Sequence, residues 1–427
     1  MPIDLTSAKN LVQSLRSENA KLIINIAQGV FGHIITEIDN YLRMRIHENI
    51  GSENPCLFLG EDENLTVELL SLYEGVFEAV SLDHIHKVTG DHVANCHPDL
   101  TLDVGMSSYK IAPPSRGYAY AEHIHNTVFY RTGFINGSYR DHIQYYKRLN
   151  ATAKFQPMRL EVPCPEQLRT FVDRNARPIV LIQQRQEISA ANKIIASDKL
   201  YEPAIEYLED SGFTVVFVGR EVLPDSWKKL GVIDYANSQF ANLQNDFHLF
   251  RLASLALLSA SGTNWLAEIQ ATPYLQINNA QGASPPFSRY SITLPSMWTH
   301  IEDNKMCTAL EQIHHNFMYG AGSVPGMHTQ SVDADDILEG IQELENLIKE
   351  WRPPSSLQNK WVEIGNDLWQ SKSTINGKTL WEGLPKSPWV GGNDELLDGQ
   401  NEACLLSHSQ SRISQKFLSK HQDKLLL

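Results

Sequence analysis

Between Pro178 and Asn278 the chain alternates short, continuously apolar runs with amphipathic stretches, and few folds accept that pattern. The runs are Pro178 to Gln183, FTVVFVG from Phe213, VIDYA from Val232, LALLSAS from Leu255 to Ser261, and PYLQIN ending at Asn278. Strands apolar on both sides belong in a parallel sheet covered on both faces. The intervening stretches are helical, with Tyr201 to Asp210 closed by Ser211-Gly212, a run from Asp246 to Ala253, and Asn264 to Gln270. Strand and helix in strict alternation predict an α/β doubly wound unit.

The N-terminal part opens the same way. KLIINIA, Lys21 to Ala27, is a strand, QGVFGH a glycine turn, and IITEIDNYLRMRIHEN a helix. Further strands are predicted at Cys56 to Leu59 and Val76 to Leu82, and Asp83 to Arg148 is predicted as long loops and short helices. EVPCPEQL, Glu161 to Leu168, reads as a turn-forming linker. Since 427 residues exceed one ordinary core, we expect an acceptor-side Rossmann-like domain over 1–160, a second Rossmann-like domain over 161–352, and a tail over 353–427. The second ends in a helix that begins at Asp333, with acids in its first turn, and stops at Trp351 before Pro353-Pro354. The tail carries Trp361, Trp369, Trp381 and Trp389, too aromatic for free disorder, so it is expected to pack back on the body. Its last stretch has weak helical character.

Charge and cysteine content narrow the partners. Lys and Arg number 36 against 50 Asp and Glu, a formal charge of -14 that repels a polyanionic backbone, so nucleic acid is excluded as a natural partner. The five cysteines have no paired spacing and read as reduced thiols. MPIDLTSAKNLVQSL lacks the basic and apolar segments of a signal peptide, and no run approaches a membrane span. A cytoplasmic location, with room for peripheral association at the inner membrane face, is the expectation.

The segment SASGTNWLAEIQATP, Ser259 to Pro273, sits where the fourth strand of this half gives way to its helix. Ser261, Gly262, Thr263 and Asn264 form a turn whose amides suit a diphosphate, and Glu268 is expected to face the ligand and accept the hydroxyls of a ribose. At the first strand, Gly29 and Gly32 let a sugar approach the backbone, and His33 starts the helix where an imidazole could act as general base near neutral pH. Glu37, one turn away, and Asp39 are the other candidates. The pairs His84/His86 and His123/His125, with His92 and His97, suggest a metal at first sight, but no third ligand has suitable spacing, so no metal and no cofactor are expected.

The Ser-Gly turn, five residues, Glu-Ile, and a Pro before an apolar strand resemble the donor segment of GT-B glycosyltransferases. The peptidoglycan N-acetylglucosaminyltransferase and the lipopolysaccharide heptosyltransferases carry related segments. Pro178 to Asn278 as a whole, with Gln184-Arg185, FTVVFVGRE, VIDYANS, NDFHLFRLASLALLSASG and QINNA, resembles a group of bacterial glycosyltransferases encoded among surface-polysaccharide genes. The resemblance implies a GT-B fold, two Rossmann-like domains facing across a cleft, and metal-independent transfer from a nucleotide-sugar donor to a glycan or glycolipid, with inversion. It implies Arg185 and Arg220 at the diphosphate, though Gln186 stands where an acid follows that Arg in the group. It also places Val232 to Phe240, with Asp234 and Tyr235, beside the base through main-chain groups. Two other functions fit the same segment: a nucleotide-sugar 2-epimerase, and an inactive glycan-binding relic.

Overall fold

The computed structural model describes five short strands before residue 111 and then residues 164–172, 176–185, 196–259, 261–279, 290–308, 326–361, 363, 374–375, 378–379 and 412–426. The chain divides into two compact units, one of Met1–Thr152 with Lys386–Leu396, the other of Ala153–Pro385 with Leu397–Leu427.

In the first unit β1 (Ile23–Ile26), β2 (Cys56–Gly60) and β3 (Phe77–Ser81) form a parallel sheet in that order, with Ile23 opposite Leu57 and Cys56 opposite Phe77. All three strands lie where the apolar runs put them. β4 (Thr101–Val104) and β5 (Ser107–Lys110) pair antiparallel inside the stretch expected to hold loops and short helices.

The second unit is built on seven parallel strands: β6 (Ile179–Gln183), β7 (Thr214–Phe217), β8 (Ile233–Asp234), β9 (Ala253–Ser259), β10 (Tyr274–Asn279), β11 (Ser291–Pro295) and β16 (Arg412–Ile413). Counted along the chain, they lie in the order 3-2-1-4-5-6-7, with every neighbouring pair parallel. The first six reproduce the doubly wound dinucleotide-binding order, whose direction reverses between β6 and β9.

Side chains alternate across the sheet. Val180, Ile182, Val215, Phe217, Leu257, Leu275, Ile277 and Leu294 join one core with Ala204, Ile205 and Leu208 of α2 (Glu202–Asp210) and Ile337, Ile341 and Leu344 of α6 (Ala334–Lys349). Helix α6 lies so near the sheet that a Cβ on Gly340 would stand 3.0 Å from Leu275 Cδ2 and 3.2 Å from Leu294 Cδ1. The other face is covered by α4 (Leu243–Leu252) and α5 (Asn264–Gln270), which bury Phe247, Leu249, Leu266 and Ile269. Helix α6 is N-capped by Asp333, in keeping with the expected start there, with a reciprocal capping box to Asp336.

One expectation needs correction, and several elements were not foreseen. The linker at Glu161 to Leu168 runs into helix α1 (Glu166–Val172), because Pro165 lends its carbonyl to the first turn, 3.1 Å from the Arg169 amide. Strands β11, β12 (Met297–His300), β13 (Met327–Gln330), β14 (Thr374–Ile375) and β15 (Lys378–Thr379) and the short helix α3 (Asp225–Lys229) were not read from the sequence. The C-terminal stretch is edge strand β16 followed by α7 (Gln415–Lys420) and α8 (Gln422–Leu425). It docks on α6 through Lys420 to Asp333 and Asp336 (2.6 and 2.9 Å), Lys416 to Glu339 (3.0 Å), and the Ser414 hydroxyl to Glu343 (2.7 Å). Trp361 of the tail is 5% exposed. Trp369, Trp381 and Trp389 lie outside the described residues.

Candidate functional site

In an open parallel sheet the ligand crevice lies beyond the carboxyl ends of the strands where the order reverses. Here that point is the end of β6 and β9. Gln183 closes β6, nearly buried at 2% exposure, and its Oε1 accepts hydrogen bonds from Ser259 Oγ at 2.9 Å and Ser261 Oγ at 3.3 Å. An amide from one strand thus gathers two hydroxyls from its neighbour. On the other side of β6, β7 is followed by Gly219 at φ +117°, where a Cβ would stand 3.2 Å from Gln183 Cγ and 2.7 Å from Glu221 Oε2. Gln183 and Glu221 therefore both crowd the Gly219 α-carbon, on the side of β6 opposite the two serines. Glu221 is half-buried, and its Oε2 accepts the Arg220 amide at 3.0 Å.

After β9, Ser261, Gly262 and Thr263 are all half-buried and turn the chain into α5. The amides of Thr263, Asn264 and Trp265 bond at 3.2–3.3 Å to Ser261 Oγ, Ser261 O and Gly262 O. Two of these lie at the long end of the usual N–H···O range and the Thr263 contact just beyond it. Asn264 is 3% exposed, and neither heteroatom of its side chain has a hydrogen-bond partner among the described residues.

Glu268 was expected on the ligand-facing side of this helix. Its side chain is only 2% exposed, and Oε1 accepts the Tyr274 hydroxyl at 2.8 Å. Burial first, and the Glu268 charge second, push the Tyr274 hydroxyl well above its ordinary pKa, so it remains a donor. Asp234 and Tyr235 are likewise committed to local structure. Asp234 Oδ1 accepts the Asn237 amide at 3.2 Å and its side-chain nitrogen at 2.9 Å. Tyr235 is 1% exposed, and its hydroxyl donates to Asp246 Oδ1 at 2.8 Å beside the start of α4.

Arg185 is half-buried two residues past Gln183, and Arg220 is exposed past the end of β7, so both cations stand at the carboxyl ends of adjacent strands. Among the described residues no group of three His, Cys, Asp or Glu could hold a metal ion, and no helix is long and apolar enough to cross a membrane. Gly29, Gly32, His33, Glu37, Asp39 and the paired histidines lie outside the described residues. Gln183 and Glu221 are the site residues that sequence reasoning missed. The signal for Glu221 was present, as an acid two residues past the glycine that ends the second strand.

No protein-family profile matches the chain, and no curated protein matches it. Solved structures do. The iron-containing dodecameric glycosyltransferase TibC from enterotoxigenic E. coli H10407 aligns at 16% identity and a TM-score of 0.41, over 64% of this chain and 62% of TibC. The chain thus spans less than two thirds of that relative's length. The glycosyl transferase family 9 protein of Veillonella parvula DSM 2008 aligns at 9% identity and a TM-score of 0.45, over 77% of this chain and 97% of the other. The E. coli ADP-heptose lipopolysaccharide heptosyltransferase II gives 14% identity and a TM-score of 0.39, over 64% and 90%.

Proposed function

We propose that the chain is a GT-B glycosyltransferase that moves a sugar from a nucleotide-sugar donor to a glycan or glycolipid acceptor. The observation that carries this is the dinucleotide-type strand order with Gln183, Ser259 and Ser261 tied together at its reversal point. The diphosphate would lie over the turn Ser261 to Thr263, at the start of α5. Asn264, a buried amide without a partner, suits a polar ligand there, since such a group costs about 1–3 kcal/mol when unsatisfied. Arg185 and Arg220 would take up leaving-group charge without a metal. Glu268 would serve this site from beneath, by fixing the α5–β10 connection through Tyr274.

On the sequence expectation, Gly29 and Gly32 would take the acceptor sugar. Its hydroxyl oxygen bonds to the anomeric carbon as the bond to the diphosphate breaks. The nucleoside diphosphate leaves with that electron pair, the configuration inverts, and His33, Glu37 or Asp39 takes the hydroxyl proton.

The test is incubation with a panel of nucleotide sugars, with and without EDTA, and analysis of both products. Free nucleoside diphosphate, undiminished by EDTA and reduced about 10²–10⁴-fold by His33→Ala, is the expected result. An epimeric nucleotide sugar would make the chain a 2-epimerase, and no binding of any nucleotide would overturn the donor site itself.

A further inference from the structure

We propose that Asn278 is a positioning residue for the donor nucleotide, whose left-handed backbone sets the wall of the crevice beside the Ser261 turn. The inference rests on the donor site described above and adds how the neighbouring strand shapes it. Among the described residues, Ala176, Ala271, Asn278 and Asn304 are the non-glycine positions with positive φ. Ala176, Ala271 and Asn304 are exposed and lie in connections. Asn278, at φ +52°, is 4% exposed and lies within β10. A buried side chain persists in the left-handed region only where its surroundings hold it there, and such residues gather at functional sites.

Strand β10 runs between β9 and β11. Toward β9, Ile277 is opposite Ser259, so Asn278 is the next position beyond the ladder, level with the chain that enters the Ser261 turn. Toward β11, Ile277 is opposite Leu294 and Asn279 opposite Pro295, which makes Asn278 the extra residue of a bulge. One extra residue reverses the side of the sheet on which every later position falls, so the bulge sets how the chain leaves β10 at the crevice. The side chain is spent on holding it. Oδ1 accepts the Val332 amide at 3.0 Å, and Nδ2 donates to Ser331 Oγ at 2.9 Å, just ahead of the Asp333 cap of α6. Asn278 therefore acts on the nucleotide through the backbone it fixes, and not by touching it.

Calorimetric titration of the full chain with UDP and with ADP tests this, at a temperature where urea unfolding shows each variant fully folded. Asn278→Gly loses the side-chain ties but accepts a positive φ, and it should weaken binding about threefold. Asn278→Ala loses the ties and also disfavours the left-handed backbone that the bound state needs, so its loss should reach about tenfold or more. Wild-type affinity in Asn278→Ala, or equal losses in the alanine and glycine variants, overturns the assignment while the donor site stands, because a merely structural bulge would lower the urea midpoint alone. If Asn278→Ala does not fold, Ser331→Ala decides, since it removes the partner of Nδ2 and keeps Asn278. A loss of about threefold is then expected, and unchanged affinity in both Ser331→Ala and Asn278→Gly overturns the role. A wild type that binds neither nucleotide removes the donor site and this inference together.

Discussion

Ser259 Oγ donates to Gln183 Oε1 at 2.9 Å, so the last side chains of two neighbouring parallel strands are joined where the strand order reverses. The strand ladder continues to this point, with Gln183 opposite Leu258. The hydrogen bond carries the rigidity of the ladder one step further, into the groups that face a ligand. A site built on strand ends keeps its geometry better than one built on loops alone.

Gly219 shares this arrangement, and it should not tolerate a side chain. Its φ of +117° is strained for any L residue, and an added Cβ would stand 2.7 Å from Glu221 Oε2 and 3.2 Å from Gln183 Cγ. Gly219→Ala should lose about 1–3 kcal/mol of stability in urea unfolding. The double variant Gly219→Ala/Glu221→Ala should recover only part, because the φ strain and the Gln183 contact remain. Wild-type stability in the single variant would show that the turn is not formed in this way.

What the sequence disclosed follows from where the ordering forces act. β6, β7, β9 and β10 are apolar on both faces because both faces are covered, so a run of residues was enough to find them. α6 was found because Asp333 writes its own cap. β11 was missed because Ser291 and Thr293, both fully buried, make a core strand look polar. β16 spans two residues and exists only against the edge of β11, so no local pattern announces it. In the site, the turn Ser261 to Thr263 was legible from its place after a strand. The inward position of Glu268 was not, since a helical acid reads the same whether it meets solvent or a tyrosine six residues on.

The Tyr274–Glu268 contact should be worth more than a surface hydrogen bond. Tyr274→Phe keeps the ring, 1% exposed in the native fold, and deletes the donor to a buried carboxylate. Hydrogen bonds to charged groups contribute about 1.5–3 kcal/mol, and that loss should appear in the urea midpoint. In a double-mutant cycle with Glu268→Gln the two changes should be strongly non-additive. Additive effects would mean that the two side chains do not act as a pair.

His248 should make the unit sensitive to mild acid. It lies on α4 at 2% exposure, and burial, then the charges of Arg251 and Arg169, lower its pKa below the ordinary 6.5. The folded chain therefore binds this proton less readily than the unfolded chain. The stability contribution is complete above pH 6.5, where neither state holds the proton, and it declines as pH falls from 6.5 toward the lower folded value. A single group can lower stability by at most about 1.4 kcal/mol per pH unit across that window. His248→Leu removes the group, so between about pH 7.5 and about pH 5.5 the variant should lose less stability than the wild type in urea unfolding. Parallel losses in the two proteins would show that the imidazole titrates equally in both states, and would contradict its burial beside two arginines.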